Sequence, residues 1–332
     1  MRALQWTVLT LGILWGGYWL VGSTALQKGA EAWFADQTTQ GRIATNSGVK
    51  VQGFPNRFDL TVSDLHLADP VTGIGYDAAF VQLFSMTWKP WHLIAALPNA
   101  QTITLPDQVV GLTSTKFQSS LKLVPGTALA LDGVVIDGAD LVATSSLGWV
   151  LSATRAEFAT RQDASVANGH EVNLTITGLV PDADLMARAP GLPDLVDVAQ
   201  IDLVAGFSAP IDRFAGKSQP HVTSVAVKDG QIRWGDLVVA AKGTIVADAQ
   251  GLAEGRIDIH IENWQMLLPP AVAMGLIKAE VAPTVEKMMG LMAAQSADGK
   301  SLDLPLVLAA GRMSFGPIPL GAAPRLVRGP QG

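Results

Sequence analysis

Residues 256–262, RIDIHIE, decide the fold class of this chain. Isoleucines alternate there with charged and polar side chains, so a strand through them has one apolar face and one hydrophilic face. A strict period of two is typical of an antiparallel strand that packs one face on a core. Residues 171–177, EVNLTIT, repeat the pattern. The chain is therefore predicted to be mainly β, with a long antiparallel sheet.

Turn-forming pairs stand beside these alternating segments. They are Asn168-Gly169, Asp229-Gly230 and Gln250-Gly251. Asn-Gly and Asp-Gly pairs favour the tight turns with positive φ that join the strands of a hairpin. We expect Asp229-Gly230 to end one strand and begin the next.

Three segments interrupt the β pattern. Residues 181–197 contain three prolines and predict a connection with a short helix, which marks a weak boundary within the body. Residues 265–295 are rich in Met, Ala and Leu and predict a helical insert near the C-terminus. Residues 316–332 predict a loop-like tail.

An uncharged run opens the chain. As a helix, Leu4–Leu26 would be about 34 Å long, enough to cross a hydrocarbon core of about 30 Å. The run predicts a transmembrane anchor over residues 4–26, after a cytoplasmic stub of residues 1–3. The alternative is a cleaved signal peptide, with Ser23 and Ala25 as the small residues before the cut.

Aromatic residues lie in and after this run, and they predict contact with the membrane and its interface. Tryptophan and tyrosine collect at membrane–water interfaces, although Trp15 fits such a belt less well than the others. Residues 27–44 predict a membrane-proximal helix or linker, which lies along the headgroups or packs its aromatics on the body. The residues assigned to the anchor and interface are Trp6, Trp15, Tyr18, Trp19 and Trp33.

The charges at the ends of the run set the expected topology. Arg2 precedes the run and Lys28 follows it, so the excess of positive charge on the N-terminal side is small. We expect the N-terminus in the cytoplasm and the β-rich body, residues 45–315, on the other side. In a bacterium this is a single-pass inner-membrane protein whose body lies in the periplasm.

Composition excludes several classes of protein. Hydrophobic residues make up 48% of the chain and charged residues 16%, the opposite of the balance that keeps a chain disordered. The net charge of −6 argues against nucleic acid as a partner. The sequence contains no cysteine, which excludes disulfides and thiolate chemistry.

Catalytic motifs are not found in the sequence. The five histidines have no metal-ligand spacing, and His260 stands on the hydrophilic face of a predicted strand. Ser119 and Lys122 match the Ser-x-x-Lys pattern of penicillin-binding enzymes without its supporting motifs, so we interpret the match as chance. We expect no enzyme activity, no cofactor and no metal.

Two groups of residues are candidates for facing lipid. Trp88 and Trp91 flank Pro90, where tryptophan suits a headgroup contact or a groove entrance, and a corner of the core is the simpler alternative. Ile257, Ile259 and Ile261 form the apolar face of their strand, which lines either an open groove or a filled core.

Several runs of sequence resemble a known family. They are Val51-Gln52-Gly53-Phe54-Pro55-Asn56-Arg57-Phe58-Asp59-Leu60, residues 88–98, residues 255–264 and the C-terminal runs 304–306, 316–320 and 323–326. They are similar to an uncharacterised alphaproteobacterial family of membrane-anchored envelope proteins, which implies no catalytic residues. More distantly, Gly53-Phe54-Pro55 after an N-terminal helix resembles AsmA-type proteins. That likeness implies an elongated, curled sheet anchored in the inner membrane and a part in envelope lipid homeostasis or transport.

Two hypotheses of function follow. In the first, the protein is a non-enzymatic, membrane-anchored envelope protein that binds or handles a phospholipid or another acyl-chain lipid. In the second, it is a structural or scaffolding envelope protein whose β core packs on itself and whose partners are proteins. An open apolar groove favours the first hypothesis, and a filled core favours the second.

Overall fold

Strands and one long helix make up most of the chain, as the alternating pattern predicts. The structure, a computed structural model, describes residues 1–275, 277–296 and 298–327. These residues divide into two compact units, residues 1–125 with 136–148 (unit 1) and residues 126–135 with 149–332 (unit 2). The boundary expected near residues 181–197 therefore falls inside unit 2.

Unit 1 begins with α1 (Arg2–Thr39), a continuous helix of 38 residues. The predicted anchor and the segment after it are thus one helix, because residues 27–39 are rich in Ala, Gln, Glu and Lys and contain no proline. Its sheet has eight complete strands: β1 (Ile43–Thr45), β2 (Gly48–Gln52), β3 (Arg57–Asp69), β4 (Ile74–Met86), β5 (Lys89–Ala96), β6 (Ala100–Thr104), β7 (Val109–Thr113) and β8 (Lys116–Leu123).

The long hairpin of β3 and β4 is the frame of unit 1. The two strands pair antiparallel from Arg57↔Met86 to Asp69↔Ile74. The other edge of β3 pairs with β1 and β2, and the other edge of β4 pairs with β5 and β6. In β3 the buried side chains change from Phe58, Leu60 and Val62 to Leu65, so the alternation changes phase at Asp64, whose φ is +48°.

A further strand, β9 (Leu131–Ser145), contributes residues to both units. Unit 2 then runs as a meander in which each strand pairs antiparallel with the next. Its strands are β10 (Val150–Asp163), β11 (Gly169–Val180), β12 (Val196–Phe207), β13 (Val222–Trp234), β14 (Leu237–Ala247), β15 (Ala253–Glu262), β16 (Leu302–Ala309), β17 (Arg312–Phe315) and β18 (Ile318–Ala322).

Short helices occupy the connections of unit 2. They are α2 (Ala183–Ala187), α3 (Ala215–Ser218), a 3-10 turn (Trp264–Leu267), α4 (Leu268–Ala273) and α5 (Ala282–Ala293). The predicted short helix in residues 181–197 and the predicted helical insert in residues 265–295 are both present. Asp182 caps α2 by accepting a hydrogen bond from the amide of Asp184.

Two sequence expectations in unit 2 are wrong. Asp229-Gly230 does not separate strands, because both residues lie inside β13, where the register with β14 shifts between Val227 and Gly230. The pair forms a bulge, which inserts an extra residue without reversing the chain. The tail expected to be loop-like contains β18, which pairs with β17; residues 328–332 lie outside the described residues.

Core packing differs between the units. In unit 2, the turn at Trp264 and helices α4 and α5 cover β14 to β16, and the buried residues of this core are Leu237, Ile261, Trp264, Ala293, Leu302 and Leu304. In unit 1, Phe34 of α1 packs on β1 and β3, in a smaller cluster with Ala44, Val62 and Leu65.

Candidate membrane interface and apolar cleft

Three aromatic residues attach α1 to the strands of unit 1. Trp15, Tyr18 and Trp19 are three and four residues apart, so they lie on one face of the helix. The indole N–H of Trp15 donates to the carbonyl oxygen of Pro55 at 3.0 Å, and that of Trp19 donates to Arg57 at 2.8 Å. The Tyr18 hydroxyl donates to the carbonyl oxygen of Thr87 at 2.6 Å. The helix is therefore tied to the chain on both sides of the β3–β4 hairpin.

Aromatic packing supports these hydrogen bonds. The ring of Trp19 meets Phe54 edge to face at 5.4 Å and stacks on Phe58 at 6.3 Å, and Tyr18 lies 6.4 Å from Phe58. Gly22, one turn further along α1, lies directly against the Phe58 ring. A Cβ at Gly22 would come within 2.6 Å of the Phe58 Cζ, so the glycine permits this close approach.

Thr87 joins the two loops that contact the helix. It is completely buried. Its amide and its hydroxyl both donate to the carbonyl oxygen of Asn56, at 3.0 and 3.2 Å, while its own carbonyl accepts from Tyr18. This arrangement holds the turn before β3 beside the turn between β4 and β5.

Large apolar side chains remain exposed at these two turns. Phe54 is 61% exposed and Trp88 is 57% exposed, and Pro55 and Met86 are exposed beside them. We call Phe54, Pro55, Met86 and Trp88 the rim. Exposed tryptophan and phenylalanine concentrated at one place indicate an interaction surface.

Beyond the docked aromatics, α1 and the sheet of unit 1 enclose an open-sided apolar cleft. Its volume is about 420 Å³, within the range of about 300 to 1,000 Å³ that small-molecule sites occupy. The described residues that line it are all apolar. They are Ala25, Leu26, Gly29, Ala30, Trp33 and Phe34 of α1, with Leu60, Val62, Leu65, Leu67 and Val81 of β3 and β4.

Trp33 divides this cleft from a second hollow. The second hollow, of about 350 Å³, shares Trp33 and Leu67 with the first and continues toward the end of α1. It is more polar, because Arg42 and Asp69 lie in its wall with their side chains 3.6 Å apart. The two hollows therefore lie next to each other along α1, the first wholly apolar and the second with a charged pair in its wall.

The sequence-predicted anchor residues occupy different places on α1. Trp6 is fully outside the body, with 68% of its surface exposed. Trp15, Tyr18 and Trp19 contact unit 1 as described above, and Trp33 is half exposed between the two hollows. Trp33 therefore contacts the body, as one interpretation expects, and its contact with the headgroups stays a prediction.

The residues predicted to face lipid also lie in different environments. Trp88 lies on the rim, and Trp91 is partly buried on β5. Ile261 is 5% exposed in the core beneath the helices of unit 2, and Ile257 is 7% exposed. Ile259 packs partly against that core and also lines a hollow of about 360 Å³ along β14 to β16. Protein side chains, rather than an open groove, cover Ile261.

Among the described residues, no group of three His, Asp or Glu side chains could hold a metal ion. The His66 Nδ1 lies 2.5 Å from Asp77, and the His260 Nδ1 lies 2.7 Å from Asp303, each as a cross-strand pair on an exposed face. Burial, helped by Lys122 and Lys89, lowers the pKa of His92.

Sequence reasoning missed the cleft. Its signal was present in α1, where the small residues Gly22, Ser23, Gly29 and Ala30 share a helical stripe with Trp15, Tyr18 and Trp19. Small residues on a stripe allow a sheet to approach closely.

Comparison with known proteins places the chain in a family. A model of an uncharacterised protein family conserved in bacteria, DUF2125, matches residues 19–324, so the chain belongs to this family. No curated protein and no solved structure matches the chain. The expected membership of an uncharacterised bacterial family is confirmed, whereas the alphaproteobacterial origin and the likeness to AsmA-type proteins stay predictions.

Proposed function

We propose that this protein is a single-pass protein of the bacterial inner membrane whose periplasmic body binds the acyl chain of a membrane lipid in the cleft of unit 1. The anchor begins with residues 2–14 of α1, which are all exposed, and α1 is long and apolar enough to cross a membrane. The protein catalyses no reaction; it shelters the chain of a lipid in the cell envelope.

One observation carries this proposal: the apolar cleft is built on the same helix that is long and apolar enough to cross a membrane. Ala25, at the near end of the cleft, follows Trp19 by six residues, about 9 Å along a helix. A lipid chain that leaves the bilayer beside α1 therefore reaches the cleft after a short path. Burial of that chain stabilises the complex by about 25 cal/mol per Å² of apolar surface removed from water.

The second hollow offers one cation, Arg42, to a lipid headgroup, beside the carboxylate of Asp69. The Arg42 guanidinium is half exposed and shared between Gln37, at 2.9 Å, and Asp69. A phosphate or carboxylate in this hollow would replace water around Arg42, while the chain points back along α1 toward the bilayer.

The cleft can be tested by filling it. Gly29 lines the cleft, and a Cβ at that position meets no atom within 4 Å. In Gly29→Phe, the new ring should occupy the cleft without displacing the sheet. Gly12→Phe is the matched control, because Gly12 lies in the same helix, also has open space at its Cβ, and is far from the cleft.

The measurement is photolabelling of the full-length protein in membranes with a diazirine fatty acid, followed by mapping of the labelled peptides. We expect label on residues 57–69 of the wild type and of Gly12→Phe, and loss of that label in Gly29→Phe. Label confined to residues 2–14 in the wild type would show bilayer contact alone and would refute a lipid in the cleft.

A scaffolding role is the second candidate, and the filled core of unit 2 favours it. Leu237, Leu302 and Leu304 are each 2% or 3% exposed beneath the helices, so that face of the sheet is occupied by protein. If Gly29→Phe leaves the wild-type phenotype of cells intact while a truncation of unit 2 abolishes it, the scaffold is the better description.

A further inference from the structure

We propose that unit 1 rests on the bilayer itself, with the rim inserted at the boundary between the lipid headgroups and the acyl chains. This inference depends on the membrane anchor of the proposed function and is independent of any lipid in the cleft. It assigns Phe54, Pro55, Met86 and Trp88 a partner, the bilayer surface around α1.

The length of the free helix requires the rim to lie close to the membrane. Residues 2–14 of α1 are all exposed, with large apolar side chains 52% to 69% exposed from Leu4 to Leu14. These 13 residues span about 20 Å, against a hydrocarbon core of about 30 Å. The missing 10 Å corresponds to about seven further residues, which takes the membrane to about Val21.

The residues of α1 between Leu14 and Val21 include those that bind the turns of unit 1. Trp15, Tyr18 and Trp19 are hydrogen-bonded to Pro55, Thr87 and Arg57. Helix and rim therefore reach the membrane surface together. An amphipathic surface enters the headgroup and acyl boundary by about 5 to 10 Å, which matches the missing length.

The chemistry of the rim agrees with a lipid surface. Tryptophan and phenylalanine place their rings in the boundary between headgroups and acyl chains. Two basic residues flank them: Lys89 is exposed next to Trp88, and the Arg57 side chain is half exposed while it pairs with Asp59 at 2.7 Å. Cations at this level meet lipid phosphates.

The bilayer is the occupant because α1 leaves unit 1 beside the rim. Once residues 2–14 are in the membrane, the bilayer surface lies against the rim. A second protein on the rim would have to fit between unit 1 and the lipid. The geometry thus favours the bilayer over a protein partner or a second copy of the chain.

The depth of single positions tests this inference. The sequence has no cysteine, so each single-cysteine variant can be labelled at one place with the fluorophore NBD. Trp88→Cys and Phe54→Cys report on the rim. Val71→Cys is the control, because Val71 is 93% exposed in the turn at the opposite end of the β3–β4 hairpin, about 40 Å away.

The full-length variants are reconstituted in phosphatidylethanolamine and phosphatidylglycerol vesicles that contain lipids with a nitroxide on the headgroup. We expect the label at 88 and at 54 to shift to shorter wavelength and to lose most of its emission to the nitroxide. The label at 71 should do neither. If 88 and 54 behave like 71, the rim stands away from the membrane and the inference is overturned.

A fourth variant separates this result from the anchor on which it depends. Leu11→Cys should be quenched by nitroxides placed deep on the acyl chain, because Leu11 is 60% exposed near the middle of residues 2–21. If it is not, α1 does not enter the bilayer, and both the anchor and the seated rim are refuted. Quenching at position 11 without quenching at 54 and 88 refutes the seated rim alone.

Discussion

The two units solve the same packing problem with opposite results. Each has an antiparallel sheet with an apolar face, and each covers part of that face with helix. In unit 2, Met289 and Met292 of α5 pack on the core with Trp264, so side chains fill the space between α5 and the sheet. In unit 1, α1 places Gly29 and Ala30 over the sheet, and a cleft of about 420 Å³ remains.

The comparison indicates that the size of the helix side chains decides whether the space between a helix and the sheet beneath it is filled or left open. A helix axis lies about 8 to 10 Å from its packing partner, and only large side chains fill that space. Met and Trp do so in unit 2. In unit 1 the aromatics of α1 dock at one end, and the small residues that follow leave room.

The largest expected effect is on the free energy of unfolding, when a leucine is shortened in the filled core of unit 2 and beside the cleft of unit 1. Leu302→Ala should lower the free energy of unfolding by about 2 to 5 kcal/mol, because Leu302 is 2% exposed in the filled core and its removal leaves a cavity. Leu67→Ala should cost less than about 2 kcal/mol, since Leu67 already borders open space. Denaturant unfolding in detergent, with hydrogen exchange to locate the change, gives both values. Equal costs would contradict the comparison.

Enlarging a small side chain tests the same contrast from the other direction. Ala293→Phe adds a ring to a position that is 4% exposed and should destabilise unit 2 by about 1 to 3 kcal/mol. Ala30→Phe adds the same ring to the cleft and should leave the midpoint of unfolding of unit 1 unchanged or higher. A loss of stability in Ala30→Phe as large as in Ala293→Phe would mean that the cleft closes in solution.

Glycine substitutions measure how closely backbone approaches backbone in each unit. Gly243 of β14 has a φ of +153°, and a Cβ there would lie 2.1 Å from the carbonyl oxygen of Arg256, so Gly243→Ala should destabilise unit 2 by about 1 to 3 kcal/mol. Gly29→Ala should stabilise α1 by about 0.5 to 1 kcal/mol, because alanine is the better helix former and the space is open. Thermal unfolding of the two variants should shift in opposite directions.

The smallest expected effect is a pH dependence of unit 2. Burial lowers the pKa of His170 below its ordinary value of 6.5, and the side chain is 4% exposed against the ring of Phe207. The unfolded chain then takes up a proton first, so stability is complete above about pH 6.5 and declines as the pH falls below it. His170→Gln should remove this decline, and His66→Gln, on an exposed strand face of unit 1, should not. An unchanged slope in His170→Gln would assign the pH dependence to another group.

The sequence by itself determined the elements of this protein. Alternation with a period of two predicts β11 and β15, the uncharged run predicts α1, and a Met- and Ala-rich segment predicts α4 and α5. Each of these signals is local, because a strand or a helix shows its faces to its surroundings within a few residues. The prediction of a turn at Asp229-Gly230 was wrong for the same reason. A turn and a bulge can have the same local composition, and only the register of β12, β13 and β14 distinguishes them.

The tertiary structure alone decided what covers each apolar face. Nothing local in α1 shows that Trp15 and Trp19 bind the carbonyl oxygens of residues about 40 positions later, or that Gly29 faces Val62 and Val81 across a cleft. Likewise, the face of Ile261 has the same pattern whether lipid or protein lies on it, and the helices of unit 2 settle which. The alternation of side chains shows that one face of a strand is apolar. It does not show whether lipid or protein covers that face, because either partner favours apolar side chains. The partner depends on contacts between distant segments, which only the folded chain brings together.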